Sequence, residues 1–264
     1  MHSETRVFAP SFAAPLAVLV LAAAVAASFA RAADAPSAAG QPALDPKAIA
    51  ALKSMGTHLR DLKSFTLHSD TTIDEVTDDG EKLQFGGTID FTVRKPDRLR
   101  ADINTDRRHR SYYYDGKTLT QYSPRMGYYA TVTAPPTVRE LVDVLRDRYE
   151  ISLPLSDLFR WGSGPDDGRD LTAAAYVGPS KIGATECEHY AFRQPDVDWQ
   201  VWIARGTELP CKLVITTVEE PTRPQYVAVF TWHPNVAIDD KTFVFEKPKT
   251  AQKIEIAVVD ASAK

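Results

Sequence analysis

Few side chains in this sequence stand where a reaction would need them. His58, His68, His109, His189 and His233 are scattered, and none forms a ligand-spaced pair of the H-E-x-x-H kind. Each reads as a surface or internally satisfied ring. Gly162-Ser163-Gly164 lacks the G-x-S-x-G spacing of a nucleophile elbow and reads as a turn. Asp166-Asp167-Gly168-Arg169-Asp170 gathers carboxylates. A calcium loop needs a longer alternating series closed by a bidentate Glu, so this segment reads as a solvated loop. Cys187 has no basic partner motif beside it, which leaves a reactive thiol unsupported. With no nucleophile, metal set or carboxylate pair, the chain reads as no enzyme, with no metal and no cofactor.

The aromatic residues say more. Tyr112, Tyr113, Tyr114, Tyr122, Tyr128 and Tyr129 fall in one stretch, and Trp199, Trp202, Phe230 and Trp232 in another. Such side chains pack well on sheets, and ordinary core is the plain reading. The alternative is that a subset lines an unfilled hollow.

The elements that must position these residues follow from periodicity. Leu44 to Ser64 reads as an amphipathic helix, with Asp45 as N-cap and Pro46 at the first helical position. Ile49, Leu52, Met55, Leu59 and Leu62 give its apolar stripe. After Phe65 the period drops to two. Phe65, Leu67, Ser69, Thr71 and Ile73 alternate with polar neighbours, as do Leu83, Phe85, Gly87, Ile89, Phe91 and Val93. One apolar and one wet face mark an antiparallel sheet. Further short strands are predicted around 99–103, 112–114, 119–122 and 128–132. Pro135-Pro136 breaks the pattern, and Thr137 with Glu140 forms a capping box for a second helix bearing Val138, Leu141, Val142 and Leu145. Leu153 to Trp161 reads as a short helix or turn. Strands are then predicted at 171–178, 184–192, 198–204, 211–218, 225–232 and 242–246, with an edge segment at 253–259. No repeat divides the chain.

Arg6 and the apolar run Phe12 to Ala30, ending in Ala30-Arg31-Ala32, read as a signal peptide over residues 1–32. Residues 33–43 are a disordered lead-in, 44–259 a single domain and 260–264 a tail. No Cys follows the apolar run, so a lipid anchor is excluded, and no Arg-Arg pair precedes it. The expected location is the periplasm. Losing Arg6, Arg31 and Glu4 moves the net charge from −4 to −5. Without a basic block, nucleic acid and anionic lipid headgroups are poor candidates for steady partners, and no other stretch has membrane-spanning length. Cys187 and Cys211 are expected to be unbridged. On the first and third of three consecutive hairpin strands they would lie two strand spacings apart, about 9.6 Å.

Lys95-Pro96-Asp97-Arg98-Leu99-Arg100, followed by Tyr114-Asp115-Gly116-Lys117-Thr118-Leu119, resembles a strand-and-hairpin signature of periplasmic lipoprotein-carrier folds. Asp198 to Ile203, Leu209 to Leu213, and Phe243 to Pro248 with Ala251 to Ile254 resemble the domain of unknown function 2092 family of predicted periplasmic proteins. The match runs over about residues 45 to 256, nearly all of the expected mature chain. That superfamily is similar to LolA, LolB and the stress sensor RseB. The resemblance implies a mainly β fold: a strongly curved antiparallel sheet forming an incomplete barrel, with helices over the open side. It also implies a concave apolar face able to take an acyl chain. The expected function is a soluble periplasmic protein binding a lipid-like or other apolar ligand, with a carrier role resting on analogy alone. Phe85, Ile89, Phe91, Leu99 and Ile103 are the candidate walls on one side, and Trp199, Val201 and Ile203 on the other. Leu141, Leu145, Leu158 and Phe159 are the candidate lid. The alternative is an envelope-stress sensing or protein-interaction domain of the RseB type, with another envelope protein as partner.

Overall fold

The computed structural model describes residues 44–161 and 170–256. The expected signal peptide, the lead-in, the Asp166 to Arg169 stretch and the tail lie outside the described residues.

The first helix, α1 (Pro46–Asp61), starts as its sequence requires. The Asp45 carboxylate accepts the Lys47 N–H at 2.8 Å. It also accepts the N–H of Tyr176 at 3.0 Å, the leading reason its pKa lies below the usual value. Ala48, Leu52, Met55 and Leu59 face the core. At the other end of α1, Lys95 Nζ donates to the carbonyls of Leu59 (2.7 Å) and Arg60 (3.1 Å). Burial pulls that ammonium down to about 8.

Six strands follow: β1 (Ser64–Val76), β2 (Lys82–Arg94), β3 (Arg98–Thr105), β4 (His109–Tyr114), β5 (Thr118–Ser123) and β6 (Tyr128–Thr133). Then come α2 (Val138–Tyr149) and a 3-10 helix, Ser156–Phe159. Thr137 caps α2, accepting the Glu140 N–H at 3.2 Å while its hydroxyl donates to the Glu140 carboxylate at 3.0 Å. Five more strands complete the body: β7 (Ala173–Ile182), β8 (Thr185–Arg193), β9 (Val197–Ala204), β10 (Pro210–Thr217) and β11 (Gln225–Pro234). The two-residue β12 (Gln252–Lys253) joins β6 in parallel.

All strands form one sheet, ordered β12-β6-β5-β4-β3-β2-β1-β11-β10-β9-β8-β7. Two meanders are joined by β1 against β11, from Phe65 opposite Pro234 to Ile73 opposite Tyr226. The edges β12 and β7 do not meet, so the barrel stays open. One apolar cluster holds residues of β2, β3 and β4 together with β8, β9 and β10, α1 and α2. A sheet whose distant strands share one core must curl around it. The expected fold class is therefore the observed one.

Three expectations are corrected. Residues 242–246 are not a strand. A 3-10 helix, Asp240–Phe243, stands there, capped by the Asp239 carboxylate on the Lys241 N–H (2.9 Å) and tied to the sheet by the Arg94–Asp240 ion pair. Phe245 then sits among Tyr113, Tyr122 and Tyr129, ring centroids 5.1–5.5 Å away. Side-chain anchoring replaces strand pairing here. Of the 253–259 edge segment, Lys253 lies opposite Tyr129 and the Ile254 N–H donates to the Tyr129 carbonyl at 2.8 Å, and the strand ends there among the described residues.

Cys187 and Cys211 form a disulfide. They do lie on β8 and β10 with β9 between, as the spacing argument assumed. What it missed is a bulge. Pairing runs Pro210 to Ile203 and then Lys212 to Trp202, so Cys211 is the extra residue. A bulge bends and twists its strand. It brings Cys211 over the end of β9, where Ala204 faces Cys187, and the Cα atoms are 7.1 Å apart. The bridge is buried with Trp202, Ala204 and Val214 in a small separate cluster.

Candidate functional site

Alternation puts Phe65, Leu67, Ser69, Thr71, Ile73 and Glu75 of β1 on the inner face. Register extends the rows sideways. One row runs Phe65, Val93, Leu99, Tyr114, and the next Leu67, Phe91, Ala101, Tyr112. These rows are filled. Phe159 packs edge-on against Phe91 (5.4 Å between centroids) and stacks on Phe65 (6.5 Å). Leu141 and Leu145 join the same core.

Two rows further along, the inner face becomes small and polar: Ser69, then Thr71, Gly87 and Thr105. Gly87 is required. A Cβ there would lie 2.6 Å from the Asn104 carbonyl oxygen and 2.7 Å from the Thr105 Cα. Small residues at this level leave a hollow of about 250 Å³. That is just below the range of about 300–1,000 Å³ usual for small-molecule sites. Ile73, Phe85, Ile89, Ile103, Tyr112 and Tyr226 supply its apolar wall, and Ser152 and Pro154 reach it from the segment after α2. That segment is bounded by two left-handed residues, Glu150 (φ 51°) and Leu155 (φ 59°), a conformation uncommon outside glycine. Of the wall residues, Ile73 is 42% exposed.

Two features give the hollow a polar character. The Tyr226 hydroxyl is buried and has no hydrogen-bond partner among the described residues. Its burial drives its pKa well above the ordinary phenol value. Three arginines, Arg107, Arg108 and Arg110, line the rim. Arg107 reaches across Phe85, its guanidinium 5.0 Å from the ring centroid, to pair with Glu75 at 2.9 Å.

A second hollow of about 290 Å³ lies on the same inner face, between β9, β10, α1 and the 3-10 helix Ser156–Phe159. Its lining includes Leu52, Trp161, Val197, Trp199, Leu213 and Ile215. Trp199 stacks between Phe192 (4.2 Å) and Trp161 (5.9 Å), and its indole N–H has no partner among the described residues.

The structure distributes the twelve candidate residues as follows. Phe85, Ile89 and Ile103 line the first hollow, and Trp199 the second. Phe91, Leu99, Val201, Leu141 and Leu145 are packed inside the core. Leu158 and Phe159 plug the filled end and border a shallow groove beside Lys95 and Pro96. Ile203 lies under α1 near Ala51 and Tyr190. Sequence reasoning did not select Ile73, Tyr226 or the three arginines, and it held Tyr112 only as one of the aromatic stretch from which a subset could line a hollow. Alternation through Phe65 to Ile73 does point to Ile73. Tyr226 needs the β1–β11 pairing, which joins residues some 150 positions apart in the chain. Among the described residues, no group of three or more His, Cys, Asp or Glu could hold a metal ion. None of their helices is long and apolar enough to cross a membrane.

A family model described as "predicted periplasmic protein", domain of unknown function 2092, matches residues 48–257. No curated protein matches the chain in sequence. Among solved structures, the chain is similar to lipoprotein LppX of Mycobacterium tuberculosis, at 14% identity and a TM-score of 0.47, covering 74% of this chain and 100% of that one. LprF of Mycobacterium bovis has 13% identity and a TM-score of 0.44, covering 81% of this chain and 100% of that one. A complex of Pseudomonas aeruginosa MucA and MucB gives 12% identity and a TM-score of 0.34, covering 76% and 61%.

Proposed function

The chain belongs to the domain of unknown function 2092 family of predicted periplasmic proteins, and from there we propose that it is a periplasmic binding protein for an apolar or lipid-like ligand. Residues 1–32 direct its export and are cleaved after Ala32, and the mature protein carries no lipid anchor.

The observation that carries this reading is the first hollow. Its walls are largely apolar, its lid segment is short, and its mouth exposes Ile73. An apolar concave opening with a few polar groups at its rim is the feature that ligand sites share. Each methylene of a bound chain removed from water contributes about 0.8 kcal/mol. A single chain of modest length therefore supplies useful affinity. Phe85, Ile89 and Ile103 make the wall, and residues 150–155 are the segment that moves for entry and release. The filled part of the core, with Phe91, Leu99, Val201, Leu141 and Leu145, holds the scaffold rather than the ligand.

The test is direct. Protein isolated from periplasm is extracted and its lipids identified by mass spectrometry. Delipidated protein is then titrated with fluorescent acyl probes of several chain lengths. Saturable one-to-one uptake, weakened by Ile103→Asp with the circular dichroism spectrum unchanged, is the expected result. Wild-type protein that takes up no probe of any length overturns the reading and favours a protein partner instead.

A further inference from the structure

We infer that the ligand of the first hollow is a single-chain anionic amphiphile, its head held by Arg108 and Arg110 and its tail laid across the inner face towards the second hollow. This rests on the reading of the hollow as an apolar ligand site.

The path of the tail is written in the register. Phe85 pairs with Ile73, Ile73 with Tyr226, Tyr226 with Ile215 and Ile215 with Trp199. The row crosses five adjacent strands, about 19 Å along the sheet. The two hollows are thus neighbours on one row, with the Tyr226–Ile215 pair between them. A branched or multi-chain lipid needs a wide cavity. A row one residue deep suits one chain.

The head is fixed by charge. Most arginines of this acidic chain are neutralised by carboxylates: Arg100 on Asp102, Arg193 and Arg223 on Asp198, Arg205 on Glu188. At the rim the pattern changes. Arg107 holds Glu75, while Arg108 and Arg110 have no carboxylate partner among the described residues. Arg110 faces Ile103 across the β3–β4 ladder, which puts it on the inner-face side, and Arg108, in the turn just before β4, lines the same hollow. The acidic groups nearby are Glu75, held by Arg107, and Asp106, whose carboxylate accepts the Gly86 N–H at 2.7 Å. Two guanidiniums remain in excess at the mouth of an apolar hollow. Guanidinium forks suit carboxylate and phosphate heads alike.

Isothermal titration below the micelle concentration tests this with four probes of one chain length: dodecanoate, dodecyl phosphate, dodecanol and dodecyltrimethylammonium. Wild-type protein should bind the two anions at least about tenfold more tightly than the alcohol, and the cation weakest. Whichever anion binds more tightly names the head. The double variant Arg108→Glu/Arg110→Glu should lose the anionic preference and gain affinity for the cation, while the alcohol changes less than about threefold. Circular dichroism and a one-to-one stoichiometry separate this gain from non-specific uptake of the cation by a damaged fold. Equal affinity for anion, alcohol and cation in the wild type overturns the inference and leaves an uncharged-ligand site standing. Failure of all four probes overturns the binding-protein reading itself.

Discussion

Replacing Tyr226 by Phe should stabilise the ligand-free protein. In the unfolded chain, water satisfies the phenol hydroxyl. In the fold that hydroxyl is buried and finds no partner among the described residues. Leaving such a group unpaired costs about 1–3 kcal/mol. Phenylalanine keeps the ring between Ile73 and Ile215, so the packing term is unchanged. The hydroxyl edges a hollow rather than a close-packed wall, which places the gain at the lower end, about 1 kcal/mol. For a domain of this size that is a rise of about 2–4 °C in Tm. Urea unfolding should show a higher midpoint at an unchanged m-value. A second sign is worked from the pKa. Burial raises the folded-state value above 10, so the stability linked to this proton is full below pH 10 and is lost as pH rises beyond it. The Phe variant should therefore lose less stability than wild type above pH 10. A variant that melts 2–4 °C lower than wild type would refute the reasoning, because it would mean that the hydroxyl is hydrogen-bonded in the fold.

Two further outcomes are expected. Cys187 and Cys211 should take up no alkylating label in intact-mass analysis until reduced. Closing a loop of 24-residue separation is worth about 3.5 kcal/mol in the chain-entropy account, so Cys187→Ser/Cys211→Ser should lower Tm by about 7–14 °C; label uptake without reductant rejects the bridge. The hydrogen bond that His68 Nδ1 donates to the Asp90 carboxylate, 2.6 Å, raises the histidine pKa above 6.5. The resulting stability is complete below 6.5 and is lost as pH rises through the folded-state value, so Asp90→Asn should flatten the urea midpoint over that range; parallel profiles for the two proteins count against it.

By itself the sequence determined the elements and their faces. Asp45-Pro46 and Thr137 with Glu140 mark helix starts that the structure reproduces, because capping is decided within one turn of chain. Period-two alternation from Phe65 to Ile73 and from Leu83 to Val93 predicts two strands with one apolar face, because side-chain direction in a strand is local. Tertiary structure alone decided where that face is filled. Phe91 and Phe85 are identical in type and lie on one face of one strand. Yet Phe91 is covered by Phe159, while Phe85 lies at an open mouth under Arg107. The difference depends on how far the 3-10 helix after α2 reaches across the sheet, which no local pattern encodes. The disulfide follows the same logic. A single bulge residue moved Cys211 within reach of Cys187, and bulges arise from ladder packing rather than from residue type. Tyr226 joined the hollow only because β1 pairs with β11, a contact that exists once the whole sheet has closed around its core.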